Sequence, residues 1–171
     1  MKRFLFKPLQ TLFLVLLGLM LSTAAPAGPL TDFAENKIAD ALLRGQALGA
    51  PASFYIGLDT ASCTEAGGGT EVTGGSYARV AVTSSLANWA GTQSTGSTTA
   101  SSGTSGTTSN NGAISFPTPS AGWGTVVSMR FWDAASSGNA WVCIALISNQ
   151  TINTGNTVSF PAGTLTLQVD N

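Results

Sequence analysis

Val126-Val127-Ser128-Met129-Arg130-Phe131-Trp132, followed closely by Ala140-Trp141-Val142-Cys143-Ile144-Ala145-Leu146-Ile147, decides the fold class of this chain. Side chains alternate across a strand. The first run therefore sets Val127, Met129 and Phe131 on one face, and Val126, Ser128, Arg130 and Trp132 on the other. The second run is apolar on both faces, which predicts a central strand.

Other strands extend outward from this pair. Phe54-Tyr55-Ile56-Gly57-Leu58 places Phe54, Ile56 and Leu58 on one face, and Tyr77 to Val82 groups Ala78, Val80 and Val82. Ala113-Ile114-Ser115-Phe116 stops at Pro117, which has no N–H to give a ladder. Val158-Ser159-Phe160 and Leu165 to Val169 close the set. About seven short strands with Gly and Asn turns predict a mainly β domain over residues 51–171, an antiparallel β-sandwich or jelly roll. Gly67-Gly68-Gly69 and Gly74-Gly75 flank Glu71-Val72 as tight connections. Thr92 to Gly112 is nearly all Ser, Thr, Gly and Asn without apolar periodicity. It reads as a long polar loop or flap, either a mobile surface segment or one that orders when subunits pack.

Residues 28–50 read as one N-terminal α-helix and a linker. Thr31 is a suitable N-cap, Asp32 and Glu35 suit the positive end of the helix dipole, and Gly45 can take the left-handed capping conformation after Arg44. Ala34, Ile38, Ala41 and Leu42 share a face that either docks on the sheet or meets another subunit.

Residues 1–27 read as a signal peptide or an N-terminal membrane anchor. Lys2, Arg3 and Lys7 precede an apolar run, and Ala25-Pro26-Ala27 has the small-x-small pattern cut by a signal peptidase, with cleavage after Ala27. The run from Leu9 to Ala25 is at the short end of the roughly 17–25 residues that span a bilayer. No Cys follows it as a lipid attachment point.

Only 9% of the residues are charged, against about 25% in ordinary domains. From Gly28 onward four basic residues (Lys37, Arg44, Arg79, Arg130) face eight acidic ones, a net charge of −4. Such a body lacks the basic stripe that nucleic acid requires, and membrane contact is expected only through the N-terminal segment if that is uncleaved.

Catalytic chemistry is missing from the pattern. The chain has no His, the commonest base and metal ligand. It has no Gly-x-Ser-x-Gly elbow and no phosphate-cradling loop. Asp59, Glu65, Glu71, Asp133 and Asp170 stand singly, with no glycosidase pair assignable. Asp59 and Glu65 flank one loop and suit either Ca²⁺ or a structural turn, the latter preferred. The reading is no catalytic residue, no cofactor and no metal.

Cys63 and Cys143 are the only cysteines. In an exported chain they form one disulfide worth roughly 3–5 kcal/mol. The alternative is two unrelated thiols, with Cys143 a small buried side chain. Among the tryptophans, Trp123 and Trp141 read as core. Trp132, on a face with Arg130, is the best surface contact, and a glycan-binding reading needs Trp132 and Trp89 in one groove.

Joint motifs carry a resemblance. Gly69-Thr70-Glu71-Val72-Thr73-Gly74-Gly75-Ser76-Tyr77-Ala78-Arg79-Val80-Ala81 comes first. Trp123-Gly124-Thr125-Val126, Asp133 to Asn139 and Val158 to Leu165 follow in order. Together they resemble the tail-fibre-like virion proteins of tailed bacteriophages, from about Leu30 to the C-terminus. The resemblance implies a virion structural part without catalytic residues, Arg79 as a strand residue paired with a nearby acid, and a tight hairpin at Asp133–Asn139. It also offers a third reading of the N-terminus, a true start at Met20 and cytoplasmic residence before assembly, because such proteins normally lack a leader.

The expected function is therefore a non-enzymatic phage or prophage virion protein. Its partners are other virion or surface subunits, a homo-oligomer among them, and a host-surface glycan. The alternative is a secreted bacterial adhesin or glycan-binding β-sandwich. Localisation is the virion, or the periplasm or medium after export.

Overall fold

The computed structural model describes residues 28–104 and 106–169. The leader and the cleavage position after Ala27 lie outside them. The elements are α1 (Asp32–Leu43), β1 (Ser53–Thr64), β2 (Gly67–Glu71), β3 (Val80–Thr83), β4 (Thr107–Ser109), β5 (Ile114–Ser115), β6 (Gly124–Trp132), β7 (Ala140–Ile152), β8 (Ser159–Phe160) and β9 (Thr166–Gln168).

All strand pairings are antiparallel. A five-stranded sheet runs β2-β1-β6-β7, with β3 also on β1. The two ladders β4–β9 and β5–β8 supply the opposing layer. Ile114, Phe116 and Leu165 from that layer meet Ile56, Leu58, Val126, Met129 and Phe131 of the large sheet in one core. This is the sandwich-like, mainly β architecture that the alternation predicts.

The helix follows from its ends. The Thr31 side chain accepts from Ala34 N, and Gly45 sits at φ +67° past the last turn. Phe33 meets Trp141 edge to face at 5.4 Å, and Ala34 is fully buried. Leu42, expected on the docking face, is exposed instead. The docking stripe is carried by the first turn, where Leu30 bridges to Val142 in β7.

Three further expectations change. The strand Ala140–Ile147 is not central, because β7 closes the sheet. Its apolar outer residues are covered near the start by the Pro29–Thr31 segment, where Cys143 N donates to Pro29 O (2.8 Å) and Thr31 N donates to Trp141 O (3.0 Å). Val126 faces the core with Met129 rather than outward with Ser128, because the β6–β7 register breaks between Val126 and Ser128. Tyr77 to Arg79 is irregular, so this strand begins only at Val80. Gly75 explains part of that path, since it holds φ +54° and a Cβ there would lie 2.7 Å from Ala121 O.

The polar tract 92–112 is not one loop. Its end forms β4 against β9, and Asn110 is buried. The Asn110 side chain donates to Gly112 O (2.7 Å) and Pro161 O (2.9 Å) and accepts from Leu165 N (2.9 Å). One amide thus replaces an apolar anchor by saturating the backbone around it.

Candidate functional site

The outer face of β1 and β6 should meet solvent by simple alternation. Instead the β1–β2 hairpin curls across it. Ser128 Oγ donates to Ala61 O (3.1 Å), Cys63 N donates to Ser128 Oγ (3.3 Å) and Arg130 Nη1 donates to Gly68 O (3.0 Å). Cys63 and Cys143 are bonded, with Cα atoms 5.9 Å apart, so the hairpin is joined to β7 across the intervening β6. Asp32 N donates to Glu65 O at 3.1 Å, tying the hairpin turn to the helix start.

Under this flap lies a charge cluster. Arg130 grips Asp59 with two guanidinium nitrogens, Nε to Oδ2 at 2.8 Å and Nη2 to Oδ1. Only 8% of Arg130 and 1% of Asp59 remain exposed. Arg130 is therefore a buried structural cation and not the surface contact expected beside Trp132. Arg79 makes a second bidentate grip on Glu71 at 2.7 Å for both bonds. Its Nη1 also donates to Ala134 O (2.7 Å) and Ser137 O (2.8 Å), which anchors the β6–β7 turn. The pairing with an acid is thus present, though Arg79 lies outside any strand.

Trp132 joins the two pairs. The Arg79 and Arg130 guanidinium carbons lie 3.8 and 4.3 Å from its ring centroid, the cation–π arrangement. The Tyr77 hydroxyl accepts from Leu58 N (2.7 Å) and donates to Glu71 Oε1 (3.1 Å). Gly57 leaves room for this convergence, because a Cβ there would come within 2.9 Å of Glu71 Oε1 and 3.0 Å of Trp132 Nε1. Burial pushes the Tyr77 hydroxyl far above its ordinary range. Burial also raises the Asp59 carboxyl, against the pull of Arg130. For Asp133 burial pushes upward too, but hydrogen bonds from Asn139 win and hold it below the usual carboxylate range. Those bonds close the tight turn, with Asn139 N to Asp133 Oδ1 at 2.7 Å and Asn139 Nδ2 to Asp133 Oδ2 at 2.9 Å.

The cluster is closed chemistry. Asp59 and Glu71 are committed to arginines, and among the described residues no three His, Cys, Asp or Glu side chains gather as a metal site. Tyr77 and Glu71 are members that sequence reasoning left out. Their signal was the run of backward-turning glycines, which lets the chain fold over its own strand.

Two apolar clefts open elsewhere. One, of about 630 Å³, is lined by Phe54, Leu86, Trp89, Phe131 and Trp141. Trp89 lies there against Phe131, at 5.6 Å between ring centroids, on the core side of β6. Trp132 belongs to the outer face, so the two tryptophans do not share a groove. The other cleft, of about 300 Å³, lies between β6, β7 and the β8–β9 region and is lined by Leu58, Val126, Met129, Ile152, Val158 and Phe160.

A sandwich-like β domain that is poor in charge and spends its ionisable groups on internal pairs has the character of a structural part. The chain matches the family model described as Podophage GP4 fiber I protein gp80 over residues 29–168, and it belongs to that family of phage fibre proteins. The matched span runs from just before the helix to the last strand. No curated protein matches the chain.

Proposed function

We propose that this chain is a non-catalytic fibre subunit of a podophage virion, working by assembly with other virion subunits and by contact with the host surface. The family match across the whole folded domain carries this reading. The cluster around Trp132 supports it, because its carboxylates and guanidinium groups are consumed in holding the flap. In this reading the polar, charge-poor outer surface meets neighbours through hydrogen bonds and shape. Peptide mass spectrometry of purified virions tests it. Peptides from residues 29–168 in stoichiometric amount support the reading, and their absence from particles of a producing strain overturns it.

The Cys63–Cys143 pair favours a second reading, an exported surface protein of prophage origin. The intact, unreduced mass of the product made from its own start separates the two. A chain beginning at Gly28 and lighter by the hydrogens lost on oxidation supports export. A reduced chain that keeps its N-terminus, or begins at Met20, counts against it.

A further inference from the structure

Between the pairs Ser128↔Ala145 and Val126↔Gln150, β6 advances two residues while β7 advances five. The surplus makes Leu146–Asn149 bow out of the ladder. Ile147 stands in this bow, fully exposed. It also forms part of the rim of the 300 Å³ cleft lined by Val126, Met129, Val158 and Phe160. An apolar knob and an apolar hole therefore occupy the same patch.

Single exposed apolar residues are common, but the setting here is not neutral. Exposed sheet edges are normally blunted with Lys, Pro or charge. This edge is blunted by its bulge, which stops continuous strand pairing, yet the bulge carries isoleucine. Charge selects the partner. No residue from Ala134 to Val169 is charged. The body from Gly28 has a net charge of −4, so copies approaching through their charged sides repel. The face around Ile147 is where two copies meet without that repulsion.

We propose that a second copy of this chain seats its Ile147 in this cleft, each copy filling the other's across a two-fold axis. One patch with both knob and hole satisfies such an isologous contact reciprocally. The inference rests on the fibre-subunit reading and names its self-contact.

Sedimentation of the full mature chain across a concentration series tests it. The parent chain is expected to self-associate, with little change between low and high salt because no charge is involved. Ile147→Asp should weaken association at least about tenfold, while Ile147→Leu keeps it. Far-UV circular dichroism and the unfolding midpoint should stay unchanged in both variants, since the side chain is exposed. A parent chain monomeric at the highest concentration, or an Ile147→Asp chain that associates like the parent, overturns the proposal. If virions contain the chain and either of those results is found, this contact alone fails. If Ile147 governs association but virions lack the chain, the fibre reading fails alone.

Discussion

Phe131 and Arg130 are neighbours in β6, and each is almost wholly buried, but by different means. Phe131 lies at 5.9 Å from Phe54 and 5.6 Å from Trp89, in a core that any apolar side chain of the right volume would favour. Arg130 is covered by a hairpin of its own sheet, and it is tolerable there only because Asp59, Gly68 and the Trp132 ring surround it. The inner face is held by bulk, and the outer face by pairing. A face built on bulk degrades gradually with lost volume. A face built on pairing fails when one member is removed.

Substitutions can test this contrast. Asp59→Ala leaves a buried guanidinium unpaired and should cost about 3–5 kcal/mol in urea denaturation. Replacing Asp59 and Arg130 together by methionine should cost far less. A double variant as unstable as Asp59→Ala would show that the charges themselves, and not their mutual satisfaction, hold the outer face. Phe131→Ala should also cost about 3–5 kcal/mol, but through lost volume. No second substitution on the outer face should rescue it.

Opening the Cys63–Cys143 bond by Cys→Ser at both positions should cost about 2–5 kcal/mol. Protection of the hairpin amides against hydrogen exchange should fall before that of the Phe131 core. Simultaneous loss in both places would mean that flap and core are one cooperative unit.

Tyr77 gives a smaller, pH-coded effect. Its folded hydroxyl is raised well above the ordinary tyrosine value of about 10, so above that pH the unfolded chain releases a proton that the folded chain keeps. Its contribution is therefore fully present below pH ~10 and declines as pH rises further. Unfolding midpoints measured on both sides of that pH should show a steeper alkaline loss for the parent than for Tyr77→Phe. Equal slopes would place the titrating group elsewhere.

The smallest effect belongs to the helix cap. Thr31→Ala should cost about 1 kcal/mol, with added loss from the 2.6 Å bond that its hydroxyl donates to Ala140 O. A circular dichroism melt would register it.

The inner face was legible in the sequence, and the outer face was not. Alternation placed Ile56, Leu58, Met129 and Phe131 together because strand geometry alone decides that. The same rule turned Arg130 toward solvent, since nothing local says that a hairpin from another strand will return over it. Gly67, Gly68 and Gly69 all hold positive φ and were read only as a tight connection. Val126 and β7 were misplaced for a related reason, because a break in register depends on the partner strand. Asn110 was hidden in a polar tract whose composition resembles disorder. Its value lies in the backbone groups that happen to converge on it.

The bond between Cys63 and Cys143 spans 80 positions of sequence and joins two strands on either side of a third. If a fibre is stretched along its chain, the residues between those sulfurs cannot be drawn out. Roughly 270 Å of contour, at about 3.4 Å per residue over those 80 positions, is withheld from extension. Oxidised, the subunit would yield only a short rip in a force trace; reduced, it would yield nearly its full length. A single pair of sulfurs thus sets how far this part of the virion can lengthen before it breaks.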